Sequence, residues 1–206
     1  MNQTPELTID PVLAADFRTP MRRIASSVTQ VTGRDLTGNP HGMGASAVMP
    51  VSMDPPTMLV SANQGAGLHS VLQSTGKFCV NLLGESHLDL LLPLSQSSRR
   101  TERFASRDWR EGSDSLLYLS SAPAALFCEL DHQVGYGTHT LFIGRVIAVR
   151  LYDHEVDPLV WFNGARAGVS REVALARIFT SLSDFTSGRS LRYEVIGDAL
   201  KLALSS

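Results

Sequence analysis

The pattern of apolar and polar positions changes period several times along the chain. From Pro11 to about Val28, Val12, Phe17, Met21, Ile24 and Ala25 fall near one face and Arg18, Arg22 and Arg23 lie largely off it, which predicts an amphipathic helix. VTQVTG then reads as a short β-branched strand, followed by the turn cluster DLTGNP. HGMGASAVMPVSM resumes as one extended segment of small residues and closes at Asp54-Pro55-Pro56, where two prolines forbid helix and exclude a central strand. TMLVSA is the next predicted strand, GAGLHSVLQSTG a short helix stopping at Gly76, and KFCVNLL another strand.

Glu85 to Ser98 carries helical spacing, and SSRRTERFASRDW reads as a polar, partly helical connection. From Ala124 the β signal dominates. ALFCELDHQVGYG and HTLFIGRVIAVRLYD predict two long antiparallel strands joined at Gly137, and PLVWFNG a last short one. In the tail, VALARIFTSLSDF and YEVIGDALKLALSS both carry helical spacing and predict two carboxy-terminal helices. Five or six strands with interspersed helices point to an α+β, mainly β fold, closed or nearly closed as an antiparallel barrel rather than wound in parallel. The expected division is a barrel domain over 11–168 and a helical extension over 169–206.

Composition narrows the partners. The chain has 206 residues, 43% of them hydrophobic, and a formal net charge of −2, enough for one well-buried core. With a pI near 6.3, nothing electrostatic favours nucleic acid or an anionic membrane. MNQTPELTIDP lacks the basic and apolar regions of a signal peptide, and no run approaches ~18 consecutive apolar residues. A soluble, cytoplasmic protein is expected. Cys79 and Cys128 each sit in an apolar stretch without CxxC spacing, which argues against zinc or an iron–sulfur cluster. The sequence leaves a disulfide between them open; two buried, reduced thiols fit the context better.

No familiar catalytic signature assembles. GAGLHS lacks the third glycine of a dinucleotide loop, GASAV around Ser46 lacks the second glycine of a nucleophile elbow, and there is no HExxH. His87 and His154 read as surface residues. Such a chain suits chemistry in which a cofactor does the difficult step. Hydride transfer between two stacked rings needs backbone donors at the ring edge and exclusion of water, with no protein nucleophile.

Five segments then stand in register: FRTPMRRIASSVTQVTG, HGMGASAVMPVSMDPPTMLVSAN, LHSVLQSTGKFCVNLL, ERFASRDWREG and GTHTLFIGRV. Through them, from about Phe17 to Arg166, the chain resembles the flavin reductase-like, FMN-binding split-barrel family, the short NAD(P)H:flavin reductases of two-component monooxygenases. The resemblance implies a homodimeric, six-stranded antiparallel split barrel with flanking helices. It implies FMN or FAD bound near the subunit interface, NADH or NADPH as co-substrate beside it, and a separate flavin-dependent monooxygenase as partner.

Carried over by position, Gly44, Ala45, Ser46, Ala47 and Ser52 would line the isoalloxazine. Small side chains let the backbone approach the ring, and N–H groups stabilise negative charge near N1 and O2 of reduced flavin; small residues also simply pack in a tight barrel. Asn63, Gln64 and Gly65 would begin the loop around the ribityl phosphate, with Arg103 reaching it. Relatives carry Ser and Arg or Thr after this Asn, whereas this chain has Gln64-Gly65-Ala66-Gly67-Leu68. Glycine amides at a helix start can cradle phosphate unaided. The departure, with Gly44 for a common Thr and Pro50 for a common Ser, argues against tight FMN binding and leaves FAD or a loosely held, exchanging flavin open. His139 would take the catalytic position, bonding the nicotinamide carboxamide or closing the site. Arg166 would pair a phosphate or carboxylate, a surface ion pair being its competing role. Two other functions share the fold: a flavoprotein acting directly on a bound organic substrate, and a non-catalytic flavin- or haem-binding dimer.

Overall fold

The computed structural model describes residues 10–91, 93, 102–152 and 157–169, and the backbone of 191–196 and 199–204. Its contacts divide into two units, Met1–Gly168 and Val169–Ser206.

Asp10 starts the first unit as an N-cap, its Oδ1 accepting from the amides of Val12 and Leu13 at 2.9 and 3.2 Å. Helix α1 runs over Pro11–Met21, shorter than the predicted span to Val28. It stops because the chain must extend into β1, Ser26–Ser27, and β2, Thr29–Arg34. Strands β3 (Pro40–Ala45), β4 (Val48–Met53) and β5 (Pro56–Asn63) follow, so the single extended segment expected over 41–53 is two strands. Pro56 opens β5, and Pro50 lies on β4, an edge strand where the missing N–H is tolerated. Helix α2, His69–Thr75, ends as predicted at Gly76, whose φ of 65° needs glycine.

Strand β6 is Lys77–Leu82. The predicted helix from Glu85 begins as a tighter 3-10 helix over Glu85–Leu90, and its end lies outside the described residues. Two short strands went unread in the polar connection and beyond it: β7, Trp109–Glu111, and β8, Leu117–Leu119. The long hairpin is β9 (Ala124–Tyr136) and β10 (His139–Leu151), turning at Gly137-Thr138. Strands β11 (Val160–Phe162) and β12 (Ala165–Ala167) complete the unit.

Among the described residues, seven strands form one antiparallel sheet in the order β3-β2-β6-β9-β10-β5-β4. Its two edge strands, β3 and β4, are separated in sequence by Ser46 and Ala47 alone. Three residue steps reach at most ~11 Å, so the edges approach and the sheet curls back on itself. Inside lie Val31, Val60, Leu72, Phe78, Val80 and Phe142, all fully buried. A second layer, with Val28, Leu83, Trp109, Leu119 and Leu159 buried, packs where β7, β8 and the 3-10 helix cover the sheet. Cys79 and Cys128 are buried and unbridged. Their register partners are Phe127 and Phe78, so the two thiols point to opposite faces of the sheet. Burial pushes both thiols up, Cys128 to about 12.

The tail departs from expectation. Within YEVIGDALKLALSS, read as a helix, the described backbone is extended, as parts of β13 (Leu191–Ile196) and β14 (Ala199–Leu204), which pair antiparallel. Leu191, Tyr193 and Val195, then Leu200, Leu202 and Leu204, recur at period two around Gly197-Asp198. Short apolar runs satisfy both periods, and strand pairing decided between them. VALARIFTSLSDF lies outside the described residues. Among the described residues no helix is long and apolar enough to cross a membrane.

Candidate active site

At one end of the curled sheet, β5 finishes at Asn63, directly opposite His139, the first residue of β10. Asn63 Oδ1 accepts from the Gly65 amide at 2.8 Å, the self-bonded turn that asparagine favours. The Gln64 amide donates to Thr138 O at 3.0 Å, and its side-chain amide reaches His139 O at 3.5 Å. The His139 ring is exposed, its Nδ1 2.9 Å from Thr138 Oγ1. Asn63, Gln64, Gly65 and His139 therefore gather on one rim. The sequence reading passed over the residue beneath them. His69 is buried, with Nε2 2.8 Å from Thr140 Oγ1 and its ring edge-on to Phe142. It pins the start of α2, and hence the glycine loop, to β10.

The loop continues into a small pocket of about 110 Å³ bounded by His41, Gly42, Gly67, Leu68, Arg103 and Phe104. Arg103 donates from Nε to Pro93 O at 2.9 Å and from Nη1 to Gly42 O at 3.1 Å. It lines the pocket and also ties Pro93 to Gly42 of β3. His41 Nε2 lies 3.0 Å from Asp35 Oδ2. The Thr37 hydroxyl, then His41, then the Asn39 donors hold the Asp35 carboxyl well below the usual carboxylate range.

Gly44, Ala45, Ser46 and Ala47 run through the junction of the two sheet edges. The Ala45 carbonyl accepts from Thr29 Oγ1 at 2.8 Å and the Ala47 carbonyl from the Ser61 amide at 2.9 Å, which fixes the strand's path. Ser46 opens on a cleft of about 450 Å³ that it shares with Met21, Arg22, Ile24, Ser26 and Trp161. Ser52 is not among these residues. Its Oγ donates to Asp54 O at 3.0 Å and accepts from the Asp54 amide at 3.1 Å, closing the β4–β5 turn. Arg166 also stands apart, with Nη1 3.9 Å from Glu85 Oε2, although its backbone pairs with Trp161. The sequence reading named neither Arg22 nor Trp161 for the site; the only trace was an aromatic pair in the last predicted strand.

Residues 21–170 match the flavin reductase like domain family. The chain belongs to that family. The match spans the curled sheet, the rim at His139, the small pocket and the cleft. Among relatives of this flavin reductase-like chain is the reductase component of an FADH2-dependent resorcinol hydroxylase from Rhizobium sp. (strain MTP-10005), 36% identical over 157 residues, which cover 75% of this chain and 87% of that protein. The FMN reductase (NADH) RutF of Stutzerimonas stutzeri (strain A1501) is 33% identical over 160 residues, 78% of this chain and 91% of that protein. Among solved structures, flavin reductase PheA2 superposes with a TM-score of 0.67 at 31% identity, covering 79% of this chain and 100% of the other. The styrene monooxygenase flavin reductase of Pseudomonas putida S12 does so at 0.66 and 29%, covering 77% and 99%.

The site's dimensions fit a family cofactor. A cleft of about 450 Å³ lies within the ~300–1,000 Å³ of small-molecule sites. The Gly44–Ala47 stretch presents nothing larger than a hydroxymethyl group, so backbone amides can approach a flat ring.

Proposed function

We propose that the protein is an NAD(P)H-dependent flavin reductase that passes reduced FMN or FAD to a separate monooxygenase. The observation that carries this reading is the family match over 21–170, which takes in the whole curled sheet and both cavities. A bound flavin supplies the hydride acceptor. The chain's own work is to bind, orient and exclude water: the Gly44–Ala47 backbone approaches the ring, and amides of the Gln64–Gly67 loop with Arg103 receive a phosphate. His139, on the same rim as that loop, orients the nicotinamide carboxamide. Arg166, 3.9 Å from Glu85, takes the surface ion-pair role rather than a place in the cleft. Ser52 enters this reading only as a turn residue that sets the length of β4.

The reading includes a six-stranded split barrel, in which β3, Ser46-Ala47 and β4 count as one bent strand shared by both edges. It also includes a homodimer. Val12, Leu13 and Phe17 on α1 are 68%, 66% and 59% exposed, an apolar face that a second copy would cover. The barrel domain extends over 11–168, and the protein works in the cytoplasm, where free nicotinamide and flavin are at hand.

Purified protein, NADH or NADPH, and FMN or FAD added in turn test the reaction. Oxidation of the nicotinamide that depends on added flavin is expected. No oxidation with either flavin overturns the reading, and turnover with only an organic acceptor replaces it with direct action on a substrate.

A further inference from the structure

The rim that carries His139 stands at the end of a long, thinly packed hairpin. Strand β6 accompanies β9 only as far as Glu129, and all six residues from Asp131 to Tyr136 are exposed. A Cβ at Gly135 or Gly137 would meet nothing within 4 Å. His139 follows the turn and is itself exposed, and Thr140 is the first buried residue after it, 4% exposed. Whatever holds Thr140 therefore sets where the His139 ring stands.

His69 holds it from beneath. The imidazole is 7% exposed, its Nε2 is 2.8 Å from Thr140 Oγ1, and its ring stands edge-on to Phe142 at 5.3 Å and 68°. The mount is fixed in turn. The His69 amide donates to Ala66 O at 2.9 Å, and Val71 and Leu72 of the same helix are buried in the core. A valine at 140 and a phenylalanine at 69 would fill this space without burying polar atoms. The polar pair adds direction, since a hydrogen bond weakens steeply with angle and distance whereas apolar burial is non-directional. The further ties from Gln64 to Thr138 O and His139 O lie among exposed residues, where water competes for them.

We infer that His69 is a positioning residue for hydride transfer. Through the Thr140 hydroxyl it holds the start of β10 so that His139 meets the nicotinamide in the transfer geometry. The inference rests on the reductase reading, in which His139 orients the carboxamide. A displacement of ~1 Å at such a contact can cost ~100-fold in rate without touching the fold.

Stopped-flow reduction of FMN by NADH separates alignment from binding. His69→Phe keeps a ring and Thr140→Val keeps the shape, but each removes the bond. Both should lower the limiting rate at saturating NADH about 10-fold and change the NADH dissociation constant by less than about 3-fold. His69→Gln, whose amide reaches the Nε2 position, and Thr140→Ser, which keeps the hydroxyl, should stay within about two-fold of wild type. In a His139→Ala background His69→Phe should cost nothing further, because its effect passes through the missing ring.

Wild-type limiting rates in His69→Phe and Thr140→Val overturn the inference, and so does a full additional loss in the His139→Ala background. One measurement needs no turnover: the His139 imidazole NMR resonances should shift in His69→Phe and return toward wild type in His69→Gln. If His69→Phe fails to fold, Thr140→Val and Thr140→Ser carry both comparisons. Wild-type protein that oxidises no NADH with either flavin, while its variants show that shift, loses the reductase reading and keeps the coupling of His69 to His139. Wild-type turnover with unmoved resonances and unchanged variant rates removes only the positioning role.

Discussion

His139 and Asp35 occupy similar turns beside the site and are held in opposite ways. The backbone of His139 is fastened by strand pairing to Asn63 and by Gln64, while its ring stays exposed beside Thr138. Removing the ring therefore leaves the packing intact. His139→Ala should melt like wild type and bind FMN unchanged, yet slow flavin reduction by NADH roughly 5- to 150-fold in stopped-flow measurement, the effect of losing one hydrogen bond in the transition state. An unchanged reduction rate returns His139 to a turn residue. Asp35, by contrast, is wholly committed to its turn, accepting from Thr37, Asn39 and His41. Because folding lowers its pKa, its stabilisation is complete above the ordinary carboxylate value of about 4 and fades as pH falls below it. Asp35→Asn should melt lower than wild type at pH 7, and the gap should narrow below pH ~4. A gap constant from pH 7 to pH 2 would contradict this.

At the scale of elements, the centre of β10 decides how tightly the sheet can curl. A Cβ at Gly144 would lie 2.5 Å from Phe78 Cζ and 3.2 Å from Cys128 Cβ, with Phe78 and Cys128 both buried in the core. The glycine there makes room for a fully buried phenylalanine ring. Gly144→Ala should cost ~1–3 kcal/mol in chemical denaturation, the range for overpacking a core. Gly135, on β9 with open space around its Cβ position, is the control: Gly135→Ala should stay within ~0.5 kcal/mol of wild type. Equal losses at the two positions would sink the packing argument. The same element scale explains how the two ends of the site come together, since the β5–β10 pairing runs in continuous register from Arg145↔Thr57 to His139↔Asn63.

For the whole molecule, the unmet apolar surface is the leading quantity. Beyond α1, Met49, Val51 and Met53 on β4 are 56%, 52% and 85% exposed, and β4 is a sheet edge. An apolar helix face and an apolar edge strand left in water favour association. Light scattering at micromolar concentration should return about twice 22.3 kDa, and Phe17→Asp should shift the distribution toward monomer. A wild-type mass near 22 kDa would contradict the dimer.

Local pattern sufficed for the elements whose period is long and unambiguous. The β9–β10 hairpin is two thirteen-residue runs rich in apolar, β-branched and aromatic residues that meet at a glycine turn, and α2 ends at a glycine whose positive φ costs that residue little. The ordered motifs between Phe17 and Arg166 also sufficed for the family, because they record which residues recur around a shared site. The tail was ambiguous, since six-residue apolar runs satisfy both a helix and a strand until a partner strand is available. The cleft was beyond any local reading. Met21, Ser46 and Trp161 lie more than a hundred positions apart at the extremes, and each looks like an ordinary helix end, small residue or strand aromatic in its own segment. Only closure of the sheet through Ser46-Ala47, and the bond from the Asn163 amide to Arg22 O, brings them to one wall. Contacts of that kind arise from chain topology, which residue period does not encode.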